Sequence, residues 1–173
     1  MANQDQIQYP AALENKRVEK VSTIEIKTSP DWIFPLACPV EELRWIPNWE
    51  YNLAYSKSGI NENNCIFYEW SSGPIFFGKD VNTTWVTTLY DPEKHRVHFL
   101  LNMEGKAVIK WEFKCNQTGP NVSTVTWKLT FTALDKDANG LDPQAVYAGL
   151  TLIMDFLSNT LKHYCETGEM MSS

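Results

Sequence analysis

One long amphipathic segment constrains this chain more than any other feature. Between Asp142 and Gly168, a capping Asp, a Pro at the first helical position and a terminal Gly bracket about six or seven helical turns. The apolar residues Val146, Leu150, Ile153, Leu157, Leu161 and Tyr164 fall on one face at ~100° per residue, with Thr151, Asp155 and Lys162 opposite. A helix of this kind draws most of its stability from covering an apolar surface, so the chain must supply one.

The two segments upstream are written as that surface. Ala107, Ile109, Trp111, Phe113 and Cys115 alternate with Val108, Lys110, Glu112 and Lys114. Val125, Trp127, Leu129, Phe131 and Ala133 alternate in the same way with Thr124, Thr126, Lys128, Thr130 and Thr132. One face is wet and the other apolar, which is the pattern of an antiparallel sheet covered on one side. Further strands are expected at Val18–Lys27, Tyr51–Ser56, Cys65–Trp70, Thr83–Tyr90 and Arg96–Leu101. Thr28-Ser29-Pro30-Asp31 and Cys38-Pro39 each read as a helix start, the first with a capping hydroxyl, and Pro47 ends the second helix. The fold class is therefore α+β: a curved antiparallel sheet of six to seven strands around one long C-terminal helix, with two short helices after the first strand. We expect an N-terminal arm over residues 1–17, a single domain over 18–168 and a tail over 169–173.

Composition excludes several functions. The net charge of −6 leaves no basic stripe for nucleic acid, and no polybasic tract marks a membrane surface. No run of 18 apolar residues occurs, so stable membrane insertion is not expected. The N-terminus lacks the charged start and apolar stretch of a signal peptide, and the four cysteines form no CxxC pair. A cytoplasmic location with reduced thiols is the expectation.

The order strand, two short helices, six strands, long helix resembles the START-like (SRPBCC) superfamily, the helix-grip fold of pollen allergens, lipid-transfer domains and polyketide cyclases. The segments IFPLACPVEELRWIPNWEYNLAYS, NNCIFYE and TTWVTTLYDPEKHRVHF are similar to a bacterial subgroup of it, with Cys38-Pro39-Val40-Glu41, Trp45 and Trp49 the most particular residues. The resemblance spans Val18 to Tyr164. It implies a cavity between sheet and helix for a small hydrophobic molecule, which some members bind and others convert.

For that pocket we expect Phe67, Phe99, Leu101, Trp111, Phe113, Trp127 and Leu129 from the sheet, with Val146, Leu150 and Ile153 from the helix. Glu69 shares parity with Cys65 and Phe67. Inward it would be a desolvated acid, but the end of so short a strand favours a place in water. Glu41 and Glu42 open a helix, where carboxylates complement the dipole. His95, His98 and His163 form no constellation, and no nucleophile–base order can be read. Asp135 to Gly140 matches half a calcium loop, but Val146 stands where a bidentate Glu is required. No cofactor and no metal are expected. The reading is a binder or carrier of a lipid, aromatic or polyketide-like ligand without catalysis. The alternative is a cyclase- or dehydratase-like enzyme using polar groups in the same pocket, to which Tyr51, Tyr55 and Thr87 could contribute. The arm and an exposed edge strand could mediate a homodimer.

Overall fold

A computed structural model describes residues 16–70 and 73–172. The expected N-terminal arm, apart from its last two residues, lies outside the described residues. Strand β1 (Arg17–Ile26) leads into helix α1 (Pro30–Ile33), a 3-10 turn (Phe34–Ala37) and helix α2 (Pro39–Glu42). Strands β2 (Asn52–Tyr55) and β3 (Ile66–Glu69) follow, then helix α3 (Pro74–Phe77). Strands β4 (Thr83–Asp91), β5 (Arg96–Met103), β6 (Ala107–Gly119) and β7 (Val122–Ala133) complete the sheet. Helix α4 (Lys136–Asn139) precedes helix α5 (Pro143–Thr167).

All seven strands form one antiparallel sheet in the order β1-β7-β6-β5-β4-β3-β2. Every neighbouring pair is consecutive in the chain except β1, which crosses to pair with β7. The alternation in β6 and β7 faces as the sequence requires: Ile109, Phe113, Cys115, Val125, Leu129 and Phe131 are all buried. Register shifts between Leu53 and Tyr55, and between Thr87 and Leu89, mark irregularities in the outer strands, where such breaks increase twist.

Helix α5 begins as its sequence demands. Asp142 accepts a hydrogen bond from the Ala145 N–H at 3.2 Å. At the other end Gly168 takes the left-handed conformation, φ 78°, and donates its N–H to the Tyr164 carbonyl at 2.8 Å. The stripe is buried except for the half-buried Ile153, and Met154 joins it. Full burial of one Leu or Met side chain is worth roughly 1.5–3 kcal/mol over exposure, so Leu150, Met154 and Leu161 together anchor the helix.

Two local expectations are corrected. The Ser29 hydroxyl makes no cap bond to α1, whose first N–H group is removed by Pro30 in any case. Helix α3, after β3, adds a third short helix to the two expected, a four-residue element too short to show a period. Asp135, the first position of the half calcium loop, is occupied as the cap of α4, accepting from Ala138 N at 2.8 Å, and Asn139 Oδ1 accepts from Lys16 N at 2.8 Å.

Candidate functional site

Helix α5 packs on β1 and β7, at one side of the curved sheet. The inner face of β3 to β6 is therefore left for other cover, and α2 and α3 provide it only in part. A cavity of about 440 Å³ remains between these elements, within the roughly 300–1,000 Å³ of small-molecule sites.

Sheet register decides which side chains meet there. Glu69 pairs with Thr83, Thr83 with Met103 and Met103 with Ala107, forming one row across four strands. In the next row Phe67 pairs with Trp85, Trp85 with Leu101 and Leu101 with Ile109. Each partner in a row points to the same face. Glu69, Thr83, Met103, Trp85, Leu101 and Ile109 line the cavity, joined by Trp111 from β6. From the helical side come Glu42, Ile46, Trp49, Ile75, Phe76, Ile153 and Leu157.

Of the residues expected at the pocket, Glu69, Leu101, Trp111 and Ile153 line this cavity. Phe67, Phe99, Phe113, Trp127, Leu129, Val146 and Leu150 are buried in the adjoining core and are not in its wall. Phe113 and Trp127 pack ring against ring, centroids 4.7 Å apart. Val146 and Leu150 stand in the buried stripe of the helix that rests on β1 and β7, where the fold is filled. Parity tells which face a side chain takes, but not where along the sheet the helix makes contact.

Glu69 is not in water. It is 7% exposed, on the inner face with Cys65 and Phe67. Pairing with β4 through Thr83 holds the end of β3 in the sheet. Glu42 also does more than complement a helix dipole, because it lines the same cavity. Burial, and after it the charge of Glu69, together push its carboxyl up to about 8. The protonated form of Glu42 is thus the favoured one near neutral pH, beside a second acid.

The placement of Glu42 has a local cause. The Trp45 indole N–H donates to the Leu36 carbonyl, and the Trp49 indole N–H donates to the Pro39 carbonyl, both at 2.9 Å. These two bonds hold the turn and α2 in one shape. Cys38 Sγ accepts from the Asn61 N–H at 3.3 Å, tying the segment to the loop between β2 and β3. Asn61 Oδ1 in turn accepts from the Thr87 hydroxyl at 2.6 Å, so Thr87 is engaged away from the cavity. The Cys-Pro-Val-Glu segment with its two tryptophans is therefore the device that presents Glu42. Tyr55 is exposed, and Tyr51 stacks on Trp49 with ring centroids 6.4 Å apart.

Three indoles line the site. Trp85 meets Trp111 at 5.3 Å and Trp49 edge-on at 6.5 Å, and the core residue Phe67 stacks on Trp85 at 5.2 Å. Apart from the two glutamates and Thr83, the described lining is carbon and indole, with no Lys, Arg or His. No group of three or more His, Cys, Asp or Glu side chains that could hold a metal occurs among the described residues. None of the described helices is long and apolar enough to cross a membrane.

A seven-stranded antiparallel sheet gripping one long helix, with short helices after the first strand, is the helix-grip fold, the fold that START-like (SRPBCC) proteins have. Solved structures similar to it include Ara h 8.0201, with a TM-score of 0.65 and 11% identity over 87% of this chain and 98% of that one. A START superfamily protein from Mycobacterium smegmatis gives a TM-score of 0.63 and 11% identity over 85% and 96% of the two chains. The Zhui aromatase/cyclase from a Streptomyces species gives 0.60 and 9% identity over 90% and 100%. No protein-family model matches the sequence, and no curated protein matches it significantly.

Proposed function

We propose that this chain binds a small hydrophobic molecule, a lipid, aromatic or polyketide-like compound, in the cavity between sheet and α5. The observation that carries the reading is the cavity itself: about 440 Å³, walled by Trp85, Leu101, Ile109, Trp111 and Ile153, with its polar groups confined to Glu42, Glu69 and Thr83. Ligand sites combine a largely apolar wall with a few polar groups that fix orientation. A cytoplasmic carrier with no nucleic-acid partner fits the four unpaired cysteines and the acidic charge. The test is an anilinonaphthalene probe titrated into the protein and into Ile153→Trp, which places an indole in the cavity. Probe fluorescence should rise with the first and not with the second. Equal binding to both, with unchanged thermal stability, would sink the reading.

A second reading rests on the two acids. A protonated Glu42 beside Glu69 is a donor–acceptor pair inside a desolvated site, the arrangement general acid–base chemistry requires. The shared fold with the Zhui aromatase/cyclase makes a cyclase- or dehydratase-like reaction the form to test. A polycarbonyl mimic that cyclises faster with the protein than with Glu42→Gln supports it. Equal rates with the two would remove it.

A further inference from the structure

We infer that the ligand of this cavity carries a neutral carbonyl group, and that the Glu42 carboxyl donates a hydrogen bond to its oxygen while the apolar body lies against the indoles. This rests on the binding function proposed above and specifies the ligand's polar end. The three polar groups of the wall are not equivalent. Glu69 and Thr83 have partners of their own. The Glu42 side chain has no hydrogen-bond or ion-pair partner among the described residues, and no Lys, Arg or His in the described lining offers it an opposite charge. Ionising a carboxyl in such a place, near a second acid, costs more than keeping its proton. Glu42 therefore presents one O–H donor to the cavity. A ligand that fills the cavity takes water away from that O–H and must replace the hydrogen bond, because a donor left unmade in an apolar site is costly. Hydrocarbon alone does not replace it. A ligand carboxylate would accept the bond but bring a further negative charge toward Glu69, with no cation in the described wall to offset it. An alcohol oxygen accepts as well, but its own O–H then needs a second acceptor placed to suit it. A carbonyl is satisfied by Glu42 alone. Trp49, Trp85 and Trp111 line the same space, with adjacent ring centroids 5.3 and 6.5 Å apart, which suits a flat, conjugated carbonyl compound.

The experiment measures displacement of the anilinonaphthalene probe by three compounds of one shape: acetylnaphthalene, its alkene counterpart isopropenylnaphthalene, and naphthylethanol. Each is tested on the protein, Glu42→Leu and Glu42→Gln, with thermal unfolding confirming that the variants fold. Near neutral pH the ketone should bind the parent about tenfold tighter than the alkene, with the alcohol between them. Glu42→Leu removes the donor and should bring ketone and alkene together. Glu42→Gln keeps a neutral N–H donor and should retain most of the difference. As pH rises through about 8 the parent should lose its preference for the ketone, because the Glu42 proton leaves, while Glu42→Gln holds it. Glu69, the other titratable group of the described lining, is present in both proteins, so the comparison isolates Glu42. Equal binding of ketone and alkene by the parent, or a preference that survives in Glu42→Leu, would overturn the carbonyl assignment and leave the apolar binding function standing. An alcohol that binds as tightly as the ketone would do the same. Failure of the anilinonaphthalene probe itself to bind would overturn both.

Discussion

Glu42 and Glu69 reach the same cavity from two elements that share no sequence neighbourhood, one at the end of α2 and the other at the end of β3. The charge of Glu69 adds to burial in keeping Glu42 protonated. Several measurable consequences come from that pair and from the packing that holds it.

The first concerns pH. Glu42 is raised from its ordinary value of 4.5 to about 8, so the folded state holds this proton more tightly than the unfolded chain. The stability it contributes is complete below about 4.5, falls as pH rises to about 8, and stays lost above that. One proton allows a slope of at most ~1.4 kcal/mol per pH unit. Thermal unfolding followed across this range should show a falling Tm that Glu42→Gln flattens. A difference between parent and variant that does not change with pH would contradict the assignment.

The tryptophan staples have unequal weights. Trp45 is fully buried, and Trp45→Phe deletes the donor to the Leu36 carbonyl. A loss of about 1–3 kcal/mol is expected in denaturant unfolding, from the lost bond and the space left behind. Trp49 is only partly buried, so Trp49→Phe should cost less stability. Because it frees the turn at Pro39, it should still weaken probe binding.

Wall and core should respond differently to truncation. Leu150 is fully buried against the packed side of the sheet, and Leu150→Ala should cost ~2–5 kcal/mol. Ile153 stands one turn away and faces a space that is already empty of protein. Ile153→Ala should cost clearly less and should admit larger probes. Equal losses in chemical denaturation would mean that the cavity wall is packed like the core.

Gly149 sets how closely α3 approaches α5. A Cβ there would lie 2.8 Å from Ile75 Cγ2 and 2.9 Å from Phe76 Cε1, closer than van der Waals contact permits. Gly149→Ala gains ~1 kcal/mol of helix propensity, but it should push α3 away and open the cavity that Ile75 and Phe76 line. Faster hydrogen exchange at residues 76–78 together with altered probe affinity is the expected result. Unchanged exchange with a higher Tm would show that α3 does not rest on this glycine.

Burial pushes the Cys115 thiol up to about 11 and the Cys165 thiol up to about 12. Since the thiolate is the reactive form, neither should be alkylated quickly by iodoacetamide near neutral pH while the protein is folded. Mass spectrometry should detect their labelling only after denaturation. Fast native labelling of Cys165 would show that the last turns of α5 open.

Much of the architecture is legible in local pattern. The alternation in β6 and β7 and the stripe of α5 each mark a face, because period two and period 3.6 follow from backbone geometry alone. Helix α3 left no such trace, since four residues make barely one turn. The position of Glu69 was ambiguous for a related reason. Its parity pointed inward, yet whether the end of β3 frays depends on a hydrogen-bonded partner, β4, that sequence spacing does not identify.

By itself, then, the sequence determined the faces of the strongest elements, the caps of the long helix and the acidic, tryptophan-rich composition of the chain. Those follow from residues acting on their immediate neighbours. Only the tertiary structure decided that α5 lies over β1 and β7, that the inner face of β3 to β6 is therefore left partly uncovered, and that Glu42 and Glu69 meet inside the resulting space. These are contacts between segments far apart in the chain, set by how a twisted sheet and a straight helix fit against each other, and no local period records them.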